Sequence, residues 1–295
     1  MANTITFTPE SIQEYVNVHK DELLTKASLG AKSLEYAELM LNVKYKDTLN
    51  YLDSTVVLAD GSDCDWNPQG SDTISQRTIE VAPITVQKEF CWKDFRKTFA
   101  NYQLNFEAGR ETLPFEEKIA ASNMAAIKDE VEKMVWIGND FVTGWVADAK
   151  ESTNDAVEFA EGATATAKVD AMVAALTARM LKKGVNIFMS YTDFRNYVLE
   201  QNASCCANRG ILDAASESIK YVGDSRITLV PVAGLEGTEV MFAATPDALV
   251  FATDIEGAEN VYKFWYDEKE DKMLFKVLFN AGSAIKYLDE VIVGE

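Results

Sequence analysis

His19 is the single histidine of the chain, so any imidazole-based triad or His-rich metal site would have to be built around that one position. It lies on an amphipathic N-terminal stretch and reads as an ordinary helix histidine. The four cysteines, Cys64, Cys91, Cys205 and Cys206, form no C-x-x-C pair and no zinc-ligand spacing. They are expected to stay reduced, as in a chain made in a cytoplasm. Asp60, Asp63 and Asp65 bring carboxylates together, and a calcium loop is the chemistry they would serve. Counted from Asp60, however, the twelfth position is Ser71, where an EF-hand needs a bidentate Glu. The cluster reads as a solvated loop. Neither a G-x-S-x-G elbow nor a nucleotide-binding glycine loop occurs, and nothing singles out a carboxylate pair for glycoside chemistry. The sequence therefore nominates no catalytic, cofactor-binding or metal residue.

The bulk properties narrow the classes further. The chain has 295 residues, a formal net charge of -19 and a composition close to that of average globular domains. Proteins that grip phosphates carry a basic stripe, because phosphate neutralisation supplies most of that affinity. No such stripe is present here. The first residues lack a basic and apolar leader pattern, and no apolar run approaches the roughly 18 residues of a membrane span. The expectation is a cytoplasmic product with no membrane partner.

The elements that could position functional groups are of mixed type. Residues 9 to about 52 read as helical: Pro9 follows Thr8, Ile12, Tyr15, Val16 and His19 recur at helical spacing, and Leu34, Ala37, Met40 and Leu41 repeat the pattern. From Ser54 to Phe95 the pattern changes to alternation around a turn-rich stretch, as expected for a long exposed β-ribbon. An isolated two-stranded ribbon is marginally stable, so this one implies a neighbour to lie on. Residues 116–138 form the clearest helix. Ala120, Met124, Ile127, Val131, Met134 and Gly138 make its narrow apolar seam. A small-residue helix starts near Lys168, a buried strand covers Val185–Met189, and a short helix runs from Thr192 to Leu199, capped by Ser190 or Thr192. Strands follow at 227–231, 239–243 and 248–251. An aromatic hairpin then joins 262–266 to 273–279, with further strands at 284–287 and 291–293. The fold class is α+β.

In its order of elements the chain resembles the major capsid proteins of tailed bacteriophages, the HK-ninety-seven-like capsid fold. The segments that carry the resemblance are Val185–Met189 with Ser190-Tyr191-Thr192-Asp193-Phe194, the strand Ile227–Val232 with its Pro231, and the hairpin Thr238–Thr245 leading to Ala248–Asp254. They continue through Phe275–Phe279, Gly282 and Val291–Val293. The run Cys64–Pro68 with Ser75-Gln76-Arg77 and Phe90-Cys91 is similar to capsid proteins of phages infecting gut bacteria.

The resemblance implies an N-terminal arm (residues 1–53), an extended loop (54–95), a peripheral domain (96–167 and 253–295) with a spine helix at 116–138, and an axial domain (168–252). It implies a structural protein, not an enzyme, that assembles with itself into hexamers and pentamers of an icosahedral head enclosing DNA without sequence-specific contacts. A separate scaffolding protein, a portal and optional decoration proteins would be its partners, and the virion, built in the bacterial cytoplasm, its location. Trp66, Ile79, Val81, Phe90 and Trp92 on the extended loop are the expected inter-subunit contacts. Some members crosslink a loop Lys to an Asn of the next subunit, but no local signature marks Lys88 or Lys93 with Asn280. An encapsulin-like compartment is the nearest alternative; an acidic hydrolase or a carbohydrate-binding module would belong to other classes.

Overall fold

Alternation of aromatic and apolar residues near the C-terminus produces one continuous strand, Lys272–Ile285, which organises half of the molecule. The computed structural model describes residues 14–16, 18–58, 70–91, 115–152, 156–203, 218–254, 261–270 and 272–295. In chain order the elements are α1 (Lys20–Leu29), β1 (Glu38–Leu41), β2 (Lys46–Thr55), β3 (Ser71–Glu80), β4 (Ala82–Cys91), α2 (Phe115–Ile137) and α3 (Trp145–Ser152). They continue with β5 (Ala156–Val157), α4 (Ala165–Ala175), α5 (Ala178–Lys183), β6 (Val185–Met189), α6 (Tyr191–Ala203), β7 (Ile219–Tyr221) and β8 (Asp224–Pro231). The last strands are β9 (Met241–Ala244), β10 (Leu249–Thr253), β11 (Val261–Asp267), β12 (Lys272–Ile285) and β13 (Val291–Gly294).

The first sheet runs β1-β10-β12-β11, with β4 also paired to β12. Every second residue of β12 (Met273, Phe275, Val277 and Phe279) is buried, and these residues join the same core as the α2 seam. Five of the six seam residues read from the sequence, Ala120, Met124, Ile127, Val131 and Met134, are buried, and the sixth, Gly138, stands just past the helix end with φ 87°. The second sheet runs β5-β13-β9-β6-β8-β7, and its own core gathers Val169, Met172, Met180, Ile187, Leu229 and Met241. Ser190 caps α6 by accepting from the Asp193 amide at 3.0 Å, while Thr192 lies inside the helix and donates to Glu236.

Trp136 joins the two halves. It is fully buried at the C-terminal end of α2, with ring centroids 5.0 Å from Trp145, 4.9 Å from Phe188 and 5.4 Å from Phe242. Its indole Nε1 donates to Ser33 Oγ at 2.6 Å, and the Ser33 hydroxyl donates to the buried Glu132 carboxylate. The Ser33 amide reaches the other Glu132 oxygen at 3.1 Å, so every polar member of the network has a partner. Gly234 lies so close to this helix that a Cβ there would stand 2.3 Å from the Trp136 ring and 2.5 Å from the Glu132 carbonyl.

Two expectations change. The helical reading of residues 9–52 holds for 14–16 and α1, but β1 and β2 are strands. Asn42 breaks the chain between them with φ 65°, and tertiary pairing of β1 with β10 and β2 with β3 overrides the local apolar spacing. The ribbon therefore spans β2 and β3, beginning at Lys46 and ending at Glu80, and β4 leaves it to pair with β12. Second, Val291–Gly294 does not return with β11 and β12: it pairs with β9 in the second sheet. Thr8, Pro9, Ile12, Cys64, Cys205, Cys206, Lys93 and the Asp60, Asp63, Asp65 cluster lie outside the described residues.

Candidate assembly interface

The ribbon has two unlike faces because side chains alternate along β2 and β3. One face carries Leu49, Tyr51, Arg77 and Ile79. At its base Leu49 and Ile79 are buried with Val43, Val81, Val250 and Ala284. Arg77 pins the ribbon to the body: Nη1 donates to the Ile285 carbonyl at 2.8 Å and Nη2 to Asp148 Oδ1 at 2.7 Å. Asp148 Oδ2 accepts from the Ile285 amide at 2.8 Å, so one carboxylate clamps both the ribbon and the end of β12. Tyr51 stacks edge-on against Tyr287, centroids 5.5 Å apart.

The opposite face is a polar ladder interrupted once. Lys46 pairs with Glu80 at 2.6 Å, Thr48 lies opposite Thr78, and Asn50 opposite Gln76. Next comes Leu52 opposite Ile74, an apolar cross-strand pair left 60% and 70% exposed. Val56, Val57 and Leu58 follow, and Leu58 is 94% exposed. These exposed apolar side chains are grouped toward the end of β2 and the start of β3 that lies away from the Arg77 anchor. Elsewhere on the same chain a cleft of about 690 Å3 opens between β4 and α2; Ile84, Val86, Ile127 and Met134 line its apolar part, and Lys88, Asp129, Glu130 and Lys133 its charged part.

Among solved structures the chain is similar to the procapsid of satellite phage P4, with TM-score 0.63, 10% identity, and 97% of this chain and 96% of that one covered. It is also similar to the capsid of a native GTA particle (TM-score 0.53, 13% identity, 91% and 89% covered). A third likeness is to a virus-like particle from Pyrococcus furiosus (TM-score 0.52, 10% identity, 97% and 98% covered). This chain has the HK-ninety-seven-like capsid fold. No family model and no curated protein matches it.

Within that capsid fold the five expected contact residues separate. Ile79 and Val81 are buried in the chain's own core, because the register turns them toward β10 and β12, so the exposed positions are Leu52 and Ile74. Phe90 is half-buried and stacks on Phe264, centroids 6.2 Å apart. Trp66 and Trp92 lie outside the described residues. Asn280 is buried in β12, and Lys88 donates to Asn123 at 3.3 Å on the α2 side of the sheet. Sequence reading misses Leu52 because the local spacing assigns it to a helix. It picks out Arg77 only as part of a similar run, with no role.

Glu290 locks the second sheet to α5. It is fully buried, accepts from Lys183 Nζ at 2.7 and 2.8 Å and from Thr245 Oγ1 at 2.6 Å, and lies 3.1 Å from Arg179. Burial alone would raise its pKa, but the Lys183 and Thr245 hydrogen bonds and the two positive charges together hold it below 4.5. A depressed carboxylate contributes stability that is present above the unfolded-state pKa and lost as pH falls through the folded one. Thermal melts from pH 7 to pH 3 should therefore show Glu290→Gln about 2 kcal/mol less stable at pH 7, with a shallower acid decline than the unaltered chain. Parallel curves would assign the acid sensitivity to other groups.

Proposed function

We propose that this chain is a shell subunit, a major capsid protein that assembles with itself into hexamers and pentamers of a phage head enclosing DNA. The ribbon carries the proposal. Among the described residues it is anchored through its inner face, and its outer end presents Leu52, Ile74 and Val56–Leu58 to solvent. A monomer gains nothing from that exposure, whereas a neighbour that covers it removes apolar surface worth roughly 25 cal/mol per Å2. A cleft and a projecting apolar end on one chain form a heterologous pair, which closes rings when the rotation between copies allows it. Likeness to the P4 procapsid and the GTA capsid supports the same reading.

In this proposal β2 and β3 form the extended loop, and α2 with the first sheet forms the peripheral domain. The second sheet, including β13, with α4 to α6 forms the axial domain. A scaffolding protein, a portal and decoration proteins are the proposed partners, and the virion the proposed location. Likeness to the Pyrococcus furiosus virus-like particle keeps an encapsulin-like compartment as the second reading; nucleic acid inside particles recovered from cells separates the two.

Negative-stain microscopy with size-exclusion chromatography tests the proposal. Closed shells, or rings of five and six subunits, are expected from the unaltered chain. Leu52→Glu with Ile74→Lys, which sets opposite charges across the strand pair, should leave the melting profile within about 0.5 kcal/mol of the parent, since both side chains are exposed, while abolishing particles. Particles that persist in the double variant would remove the ribbon from the interface. A compact monomer across concentrations and salts, with purified scaffold added, would overturn the proposal.

A further inference from the structure

Among the described residues the ribbon base covers the outer face of the first sheet at β10 and the end of β12, and leaves that face open over β11, the start of β12 and β4. Tyr262, Phe264, Phe275 and Val277 turn into the core shared with α2, and the alternate residues of β11, β12 and β4 turn away from it. On that outer face the register sets Lys263 directly opposite Lys276. Neither lysine has a carboxylate partner among the described residues, whereas Lys272 on the same strand is held by Glu89 and Glu270, each at 3.1 Å. Like charges facing each other across a strand pair are destabilising, and in a chain of net charge -19 acidic partners were abundant.

Apolar pairs flank the two cations. Trp265 lies opposite Leu274 on one side and Val261 opposite Leu278 on the other, all four half-buried. A depression of about 500 Å3 opens over Trp265, Leu274 and Lys276, and on its β4 side Gln87 lies opposite Lys276 and Glu89, held by Lys272, opposite Leu274. Successive rows on one face of a sheet are about 7 Å apart, so the surface reads apolar, cationic, apolar at that spacing.

We propose that this face is a docking site for an amphipathic helix of another protein, one that sets a Glu or Asp between two apolar side chains. Positions i, i+4 and i+8 of a helix rise about 6 Å per step, which matches the rows. The central acid would meet both lysines, and the flanking apolar residues would cover Trp265 with Leu274 and Val261 with Leu278. A DNA duplex would satisfy the lysines and leave the four apolar side chains without a partner, so the flanks favour a peptide. The site is independent of shell formation, because subunits that never assemble would still bind the helix.

The test uses the full-length chain and a labelled helical peptide carrying Leu, Glu and Leu at i, i+4 and i+8, followed by fluorescence anisotropy. Saturable binding is expected, at least about ten-fold tighter than for the same peptide with Lys in place of Glu. Lys263→Glu with Lys276→Glu should reverse that preference. Lys276→Gln should leave the melting temperature unchanged or raise it, because it relieves a repulsion. Equal binding of the two peptides, no saturation below about 1 mM, or tighter binding of a DNA duplex to this face would overturn the proposal. So would a clear loss of stability in Lys276→Gln, which would reveal a partner inside the subunit.

Discussion

Replacement of Gly282 by Ala should cost on the order of 3 kcal/mol or more, and at that size much of the protein is expected in the insoluble fraction at 37 °C. A Cβ at this position would stand 2.1 Å from the Glu80 carbonyl oxygen and 3.1 Å from Val81 Cα. Both obstacles are backbone, so no side chain can swing aside. The contact falls where the chain leaves β3 and enters β4, with the Ala82↔Ala281 pair beside it. Relief would require shifting either the ribbon base, which Arg77 holds, or the middle of β12, which is paired on both of its edges. Denaturant melts of soluble material would measure the loss. A variant within about 1 kcal/mol of the parent would mean that the two strands part at this crossing far more easily than their pairing implies.

Trp136→Ala should be comparably severe, about 3–5 kcal/mol, because the side chain is fully buried and removing it leaves a large cavity. The loss exceeds that of an ordinary core aromatic in kind, since the Ser33 hydroxyl would lose its indole donor beside the buried Glu132 carboxylate. Trp136→Phe separates the two contributions: it keeps most of the ring volume, removes only the donor, and should cost roughly 1–3 kcal/mol. Equal losses in the two variants, measured by chemical denaturation, would assign the whole effect to the hydrogen bond.

The parts of the fold legible in the sequence are those governed by a single period. The α2 seam and the aromatic alternation of 273–279 each reflect one face against one core; the helix stands at nearly the extent read from the pattern, whereas the strand runs on without a break to Ile285 and takes in what the pattern reads as a separate strand at 284–287. The β1 and β2 strands are not legible. Leu34, Ala37, Met40 and Leu41 match a helical stripe by spacing, yet Met40 and Leu41 are strand residues because β10 offers a parallel partner far along the chain. Local spacing carries no information about such a partner. The same limit applies to the contact residues. Alternation correctly places Ile79 on a ribbon strand and Val81 at its end, but it cannot say which face meets the body, and the hydrogen bonds of Arg77 and the packing of Leu49 decide that. Glu290 is invisible for a related reason: its partners, Arg179, Lys183 and Thr245, come from two other segments.

Strand β12 has a consequence for the order in which the molecule is made. Glu38 waits for Val250, and Ala82 for Ala281, so two early strands have no sheet to enter until about 200 further residues have left the ribosome. Contacts this distant in sequence slow folding, because the long loop must be closed before any pairing rewards it. Throughout synthesis β1 and β4 are open edges beside an apolar ribbon end, the kind of surface that aggregates when many copies are translated side by side. The first sheet thus closes only once β12 is made, and a chain cut short before Lys272 lacks the strand that the early ones need.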